Sequence, residues 1–126
     1  MKFGLMYEIG MPKPWYEGQE AEKYWQVMAQ IEYAEEMGFD YTWAVEHHCL
    51  EEFSHCSAPE ILFAAASQRT TTMRFGHGAV LLPQPYNYPI RVAERIGALG
   101  PGDATWTLIS LASVQRKLIR ASGGRI

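Results

Sequence analysis

Hydrophobic and polar positions follow two alternating rhythms along this chain, and the switch between them recurs three times. Residues 2–7 form a short apolar stretch that predicts a β-strand. Residues 10–18 carry Pro12, Pro14 and Gly18 and predict a loop. Over residues 20–37, Tyr24, Val27, Met28, Ile31 and Ala34 recur at helical spacing while charges fill the other face. Gly38 follows as the expected C-terminal glycine. Residues 41–45 predict a second strand, and residues 46–56 a polar loop. A second helix starts at Ser57 and runs to about Arg69. Ser57 and Glu60 stand at capping-box spacing, Pro59 falls in the first turn, and Ile61, Leu62, Ala65 and Ala66 offer a packing face. Residues 74–82 are apolar except for His77, as a strand buried on both faces requires. After a loop over 83–88, Pro89 opens a third helix with Ile90, Ala93 and Ile96 on one side, and Gly100-Pro101-Gly102 stops it.

Strand–helix units in this order predict an α/β fold with a parallel sheet and helical crossovers. Each unit takes roughly 33 residues, so eight would need about 265, close to the ~250 of a (β/α)8 barrel. The chain has 126 residues. It therefore encodes either a small open sheet or the first three units of such a barrel. Beyond Gly102 the pattern changes: residues 105–111 are a candidate fourth strand and 113–121 a short basic helix. We divide the chain into an α/β domain, 1–100, and a divergent tail, 101–126.

Composition narrows the function classes. A 48% hydrophobic fraction argues for a folded chain. The net charge is −3 with acids and bases interspersed, which points away from nucleic acid and from a membrane surface. The first ten residues, broken by Glu8 and Gly10, are too short and polar for a signal peptide or a span. Two thiols, Cys49 and Cys56, without such a signal predict a reduced, cytoplasmic protein.

The candidate chemistry begins with Trp43 to His48, WAVEHH, where the second strand meets its loop. In parallel α/β folds that end of a strand is where sites are built. One imidazole projecting into a pocket would act as acid, base or hydrogen-bond donor; a solvated strand end is the plainer reading. Adjacent strand residues face opposite ways, so both histidines share a pocket only if the strand has already ended. His47, His48, Cys49, His55 and Cys56 supply metal-ligand types, but their spacing matches no standard zinc pattern. Gly76 and Gly78 flank His77 inside a bulky strand, which predicts a bulge, close helix packing or the approach of a flat ligand. The glycines do not form a dinucleotide fingerprint. Arg91 and Arg95 lie one turn apart near Glu94 and fit a surface ion-pair network better than an anion site.

The segments MKFGLMYE, AEEMGFDYTWAVEHH, FSHCSAPEILFAAASQRT and RFGHGAVLLPQPYNYPIRVAERI, in this order, resemble the bacterial luciferase-like flavin-dependent monooxygenases over residues 1 to about 99. The resemblance implies a (β/α)8 barrel holding FMN, or in relatives F420, at the C-terminal strand ends. It implies His47 as the catalytic histidine, with Glu46, His48, His77, Gly78 and Ala79 lining the cofactor site, and no metal. It further implies a non-prolyl cis peptide at Gly78–Ala79 beneath the ring, a bond that costs about 3–4 kcal/mol and persists only where its surroundings enforce it. Oxygen and a small organic molecule are the implied substrates. Dimerisation through the faces of the first two helices, a homo-oligomer, is implied as well.

After Gly100 the resemblance stops, and the family's later strands, which hold the flavin phosphate, have no counterpart. Three or four strands cannot close a barrel. The expectation is a truncated or frame-disrupted member, inactive and binding flavin weakly or not at all. Two alternatives accompany it: a non-catalytic fragment that associates with itself or a full-length relative through an open sheet edge, and a small metal-binding domain on the His/Cys loop.

Overall fold

The computed structural model describes residues 1–80 and 85–98, with side chains through residue 95. Its elements are β1 (Gly4–Tyr7), α1 (Gln19–Glu36), β2 (Tyr41–Val45), α2 (Pro59–Ser67), β3 (Arg74–Ala79) and α3 (Pro89–Ala98). The strands form one parallel sheet in the order β1-β2-β3. This is the opening of a barrel with an open sheet, as the βα rhythm predicts. The expected strand at 105–111 and helix at 113–121 lie outside the described residues, as do positions 81 and 82 of the expected third strand.

Period-2 alternation divides the sheet into two faces. Leu5, Thr42 and Phe75 share one row, and Tyr7, Ala44 and His77 the next, toward the strand ends. These rows meet the helices: Val27, Met28, Ile31 and Ala34 of α1 and Leu62, Phe63 and Ala66 of α2 complete the core with Ala44 and Phe75. Phe63 is fully buried and packs its ring against Phe75 and His77. The opposite face carries Met6, Tyr41 and Trp43; the last two rings stack 5.2 Å apart. A Cβ on Gly4 would lie 2.0 Å from Trp43 Cζ3, so glycine makes room for that indole.

Two junctions show how local chemistry sets the geometry. Gly38 takes φ +84°, its N–H donates to Glu35 O, and Phe39 N–H donates to Ala34 O. That Schellman arrangement ends α1 and turns the chain into β2. Glu35 also accepts from the backbone N–H groups of Thr71 (3.0 Å), Thr72 (2.6 Å) and Met73 (2.7 Å) and from the Thr72 hydroxyl. One carboxylate thus anchors the α2–β3 connection to α1.

Four local expectations change. The helix α2 has Ala58 at its N-cap with no side-chain cap bond. Pro59 as first helical residue puts Ser57 and Glu60 one position out of register for a capping box. The α2 face is also rotated: Leu62, Phe63 and Ala66 are buried, while Ile61 is 70% exposed and Ala65 is exposed. In α3, Val92 is buried, whereas Ala93 is exposed and Ile90 is 61% exposed. At 100° per residue, Val92 lies on nearly the opposite side from Ile90. Finally, the sole cis peptide among the described residues is Lys13–Pro14, so Gly78–Ala79 is not cis. The irregularity there is a bulge: Ala44 pairs with His77 and Val45 with Ala79, leaving Gly78 over. One extra residue reshapes the strand without any cis bond.

Candidate functional site

Each strand delivers a polar residue or small residues to the same end of the sheet. Glu8 follows β1, Glu46, His47 and His48 follow β2, and Gly78 and Ala79 close β3. Because β2 ends at Val45, the two histidines are freed from strict alternation and diverge. His47 Nε2 lies 3.5 Å from Glu8 Oε2, and its ring meets Phe53 edge-on at 5.6 Å. That contact is at the outer limit of hydrogen bonding, and Glu8 Oε2 is buried without a hydrogen bond. His48 Nε2 lies 3.1 Å from Glu46 Oε1. Glu46 is 5% exposed, and its N–H donates to Ala79 O.

The loops after β1 and β2 are strapped together above this end. Met11 N–H donates to Glu52 O and His55 N–H to Ile9 O, while His47 N–H donates to Cys56 O within the second loop. Lys13 Nζ meets Glu51 Oε2 at 2.6 Å, and Tyr24 Oη donates to His55 O at 2.6 Å. Beneath them a cavity of about 270 Å³ is bordered by Trp15, His47, Cys49 and His55. It is smaller than the roughly 300–1,000 Å³ of ligand cavities. A groove of about 530 Å³ between α1 and α2, lined by Trp25, Met28 and Ile61, is larger but sits on the helix layer.

The loop after β3 closes the third side. Asn87 Nδ2 donates to Glu46 Oε1 at 2.8 Å, Arg95 Nη2 donates to Asn87 Oδ1 at 2.5 Å, and Arg95 Nη1 meets Glu60 Oε1 at 2.5 Å. Arg95 therefore does form an ion pair, with Glu60 of α2 rather than with its neighbour Glu94.

Residues 1–100 match the luciferase-like monooxygenase family model. The chain belongs to the luciferase-like monooxygenase family. It is 35% identical over 71 residues to 4-hydroxyprotoasukamycin monooxygenase of Streptomyces nodosus subsp. asukaensis, covering 56% of this chain and 18% of that protein. It is 38% identical over 66 residues to limonene 1,2-monooxygenase of Rhodococcus erythropolis, covering 52% and 16%. The fold is that of the oxygenating constituent of 3,6-diketocamphane monooxygenase from Pseudomonas putida, a type II Baeyer-Villiger monooxygenase solved in complex with FMN. The TM-score is 0.76 at 24% identity, over 99% of this chain and 33% of that one. The chain thus spans a third or less of the length of these relatives.

Within this luciferase-like frame, the strand ends bring His47, Glu46, His48, Gly78 and Ala79 to one end of the sheet. His77 is placed differently. It lies on the helix-facing side against Phe63, 6% exposed, with Nδ1 lacking a hydrogen bond. Desolvation holds its pKa below the usual imidazole value, against the pull of Glu60 and Glu46. Cys56 is buried and its thiol is pushed up to about 12, first by burial and then by Glu60 and Glu46, so it packs as a small hydrophobe. Cys49 is exposed and free. Among the described residues no three His, Cys, Asp or Glu groups are arranged to hold a metal, so the His/Cys loop does not assemble a ligand set. Nor is any described helix long and apolar enough to cross a membrane.

Gly78 is buried, and a Cβ on it would meet Met6 Cε at 3.0 Å and Val45 Cγ1 at 3.2 Å, so the glycine lets those apolar side chains pack against the bulge, next to the polar strand end of β2. Glu8 and Asn87 were not singled out from the sequence as site residues. Glu8 had a usable signal, since it immediately follows the first strand. Asn87 had none, because its role depends on a loop folding back over β2.

Proposed function

We propose that this chain carries the first wall of the active site of a flavin-dependent oxidoreductase that inserts oxygen into a small organic substrate. The observation supporting this reading most directly is the convergence of His47–Glu8 and His48–Glu46 at the ends of parallel strands, beside the side-chain-free bulge at Gly78. FMN is the cofactor, with F420 as the alternative; when bound it supplies the redox and oxygen chemistry, and the protein supplies position and exclusion of water. His47 is the catalytic histidine. Its half-buried ring turns Nε2 toward Glu8 and can take or hold a proton there. Glu46 and His48 form the polar rim, Gly78 and Ala79 the floor, and His77 supports that floor from behind.

Residues 1–126 by themselves hold flavin weakly and are inactive, and the protein is located in the cytoplasm. The three described strands leave the sheet open, so the floor has only one wall around it. The apolar groove between α1 and α2, with Trp25 68% exposed and Ile61 70% exposed, supports self-association through the helix layer. Titration with FMN and with F420, read by fluorescence quenching, tests the reading. Saturable binding of one of them near about millimolar, reduced by His47→Ala, with no oxygen uptake when reduced flavin is supplied, is expected. Absence of binding, or equal binding by the variant, overturns the flavin site; sustained turnover overturns the inactive assignment.

A further inference from the structure

We propose that Asn87 and Arg95 are positioning residues that fix which ring nitrogen of His48 carries its proton. The inference deepens the strand-end reading above and rests on it for its use in catalysis. The geometry itself stands on hydrogen-bond polarity.

The chain of contacts runs Glu60–Arg95–Asn87–Glu46–His48 and links α2, α3, the β3–α3 loop and the end of β2. A guanidinium has donors and no acceptor. Asn87 must therefore turn its oxygen toward Arg95 and its NH2 toward Glu46, which settles an amide orientation that heavy atoms alone leave ambiguous. Glu46 Oε1 then accepts from Asn87. The same oxygen faces His48 Nε2 at 3.1 Å. A carboxylate oxygen only accepts, so Nε2 carries the hydrogen, and Asn87, itself fixed by Arg95, holds that oxygen in place against the ring. In the neutral ring Nδ1 is left with the lone pair. His48 is thereby set to receive a proton at Nδ1, and it cannot give one there until it has received one.

Burial makes the arrangement rigid. The side chain of Glu46 is 6% exposed and that of Glu60 18%. Arg95 is held at both ends of its guanidinium, by Glu60 and by Asn87. The polarity of the relay is set by its members of fixed role: Arg95 only donates, and the carboxylates of Glu60 and Glu46 only accept.

The test uses the 126-residue chain labelled with 15N-histidine, with no flavin present. Long-range 1H–15N correlation at pH 8 reports the tautomer of each neutral ring, and His48→Gln assigns its signals. Wild type is expected to hold His48 as Nε2–H by about tenfold or more, the preference that one hydrogen bond to a charged acceptor imposes. Asn87→Ala and Arg95→Met should each collapse that ratio at least about threefold, while Arg95→Lys, which keeps a cationic donor, should retain most of it. A wild-type His48 found as Nδ1–H or evenly averaged overturns the proposal, as does an unchanged ratio in folded Asn87→Ala. The wild-type tautomer is read without Asn87→Ala or Arg95→Met, so failure of either variant to fold leaves that reading intact. Because flavin is absent throughout, failure here is distinct from failure to bind FMN.

Discussion

Replacing Glu35 by Gln should destabilise the fold by about 2 kcal/mol and make its stability less sensitive to acid. The Glu35 carboxylate receives three backbone N–H groups and one hydroxyl from residues 71–73. Hydrogen bonds to a charged acceptor contribute about 1.5–3 kcal/mol each when shielded. These lie near the surface, where water can replace part of the interaction, so the set is discounted to about 2 kcal/mol in total. With a urea m-value of about 1–1.5 kcal/mol/M, the midpoint should fall by about 1.5 M. The pH dependence has a definite sign. Partial burial raises the Glu35 pKa, but the bonds from Thr72, Thr71 and Met73 outweigh it and leave the carboxyl below its ordinary 4.5. A group with a depressed folded-state pKa stabilises above its unfolded pKa and loses that contribution as pH falls through the folded value. The gap between wild type and Glu35→Gln should therefore be constant from pH 7 to about 5 and narrow below 4.5. Urea unfolding followed by circular dichroism at several pH values measures it. A gap that widens on acidification, or no gap at pH 7, refutes the clamp.

Phe63→Ala should cost about 3–5 kcal/mol in the same assay, since its fully buried ring leaves a cavity against Phe75 and His77; a loss under about 1 kcal/mol would place the ring outside the core. His77 has a folded-state pKa below 6.5, so the stability tied to its neutral form is full above 6.5 and is lost as pH drops through the lower folded value. His77→Leu should flatten the decline in stability between pH 7.5 and 5.5, and an unchanged slope would show that His77 is not held neutral.

Much of the fold could be read along the chain because each signal was local. The pattern Val27, Met28, Ile31, Ala34 on α1 has a single solution, and β2 ends at Val45 as its apolar run does. The α2 face was ambiguous for a physical reason: Ile61, Leu62, Phe63 and three alanines make nearly every side apolar, so periodicity could not choose a direction. Only packing against Phe75 selects Phe63. The placement of Glu46–His48 at the end of a strand was visible in the sequence. Their partners were not, because Asn87 lies 41 positions from Glu46 and Glu8 39 from His47. Long-range polar pairs leave no periodic trace. His77 was legible as special but not as to side; the bulge at Gly78 comes after it and leaves it in the helix-facing row.

The straps between the first two loops carry a consequence for protein engineering. Barrels of this kind invite exchange of single βα units between relatives. Here the natural cut after α1 runs through a shared roof, because Ile9 O is held by His55 and Met11 N–H by Glu52 O. Transplanting the first unit alone would strand both groups. The smallest portable module is therefore the pair of units through the start of α2, and chimeras cut inside it should lose the shape of the site before they lose the sheet.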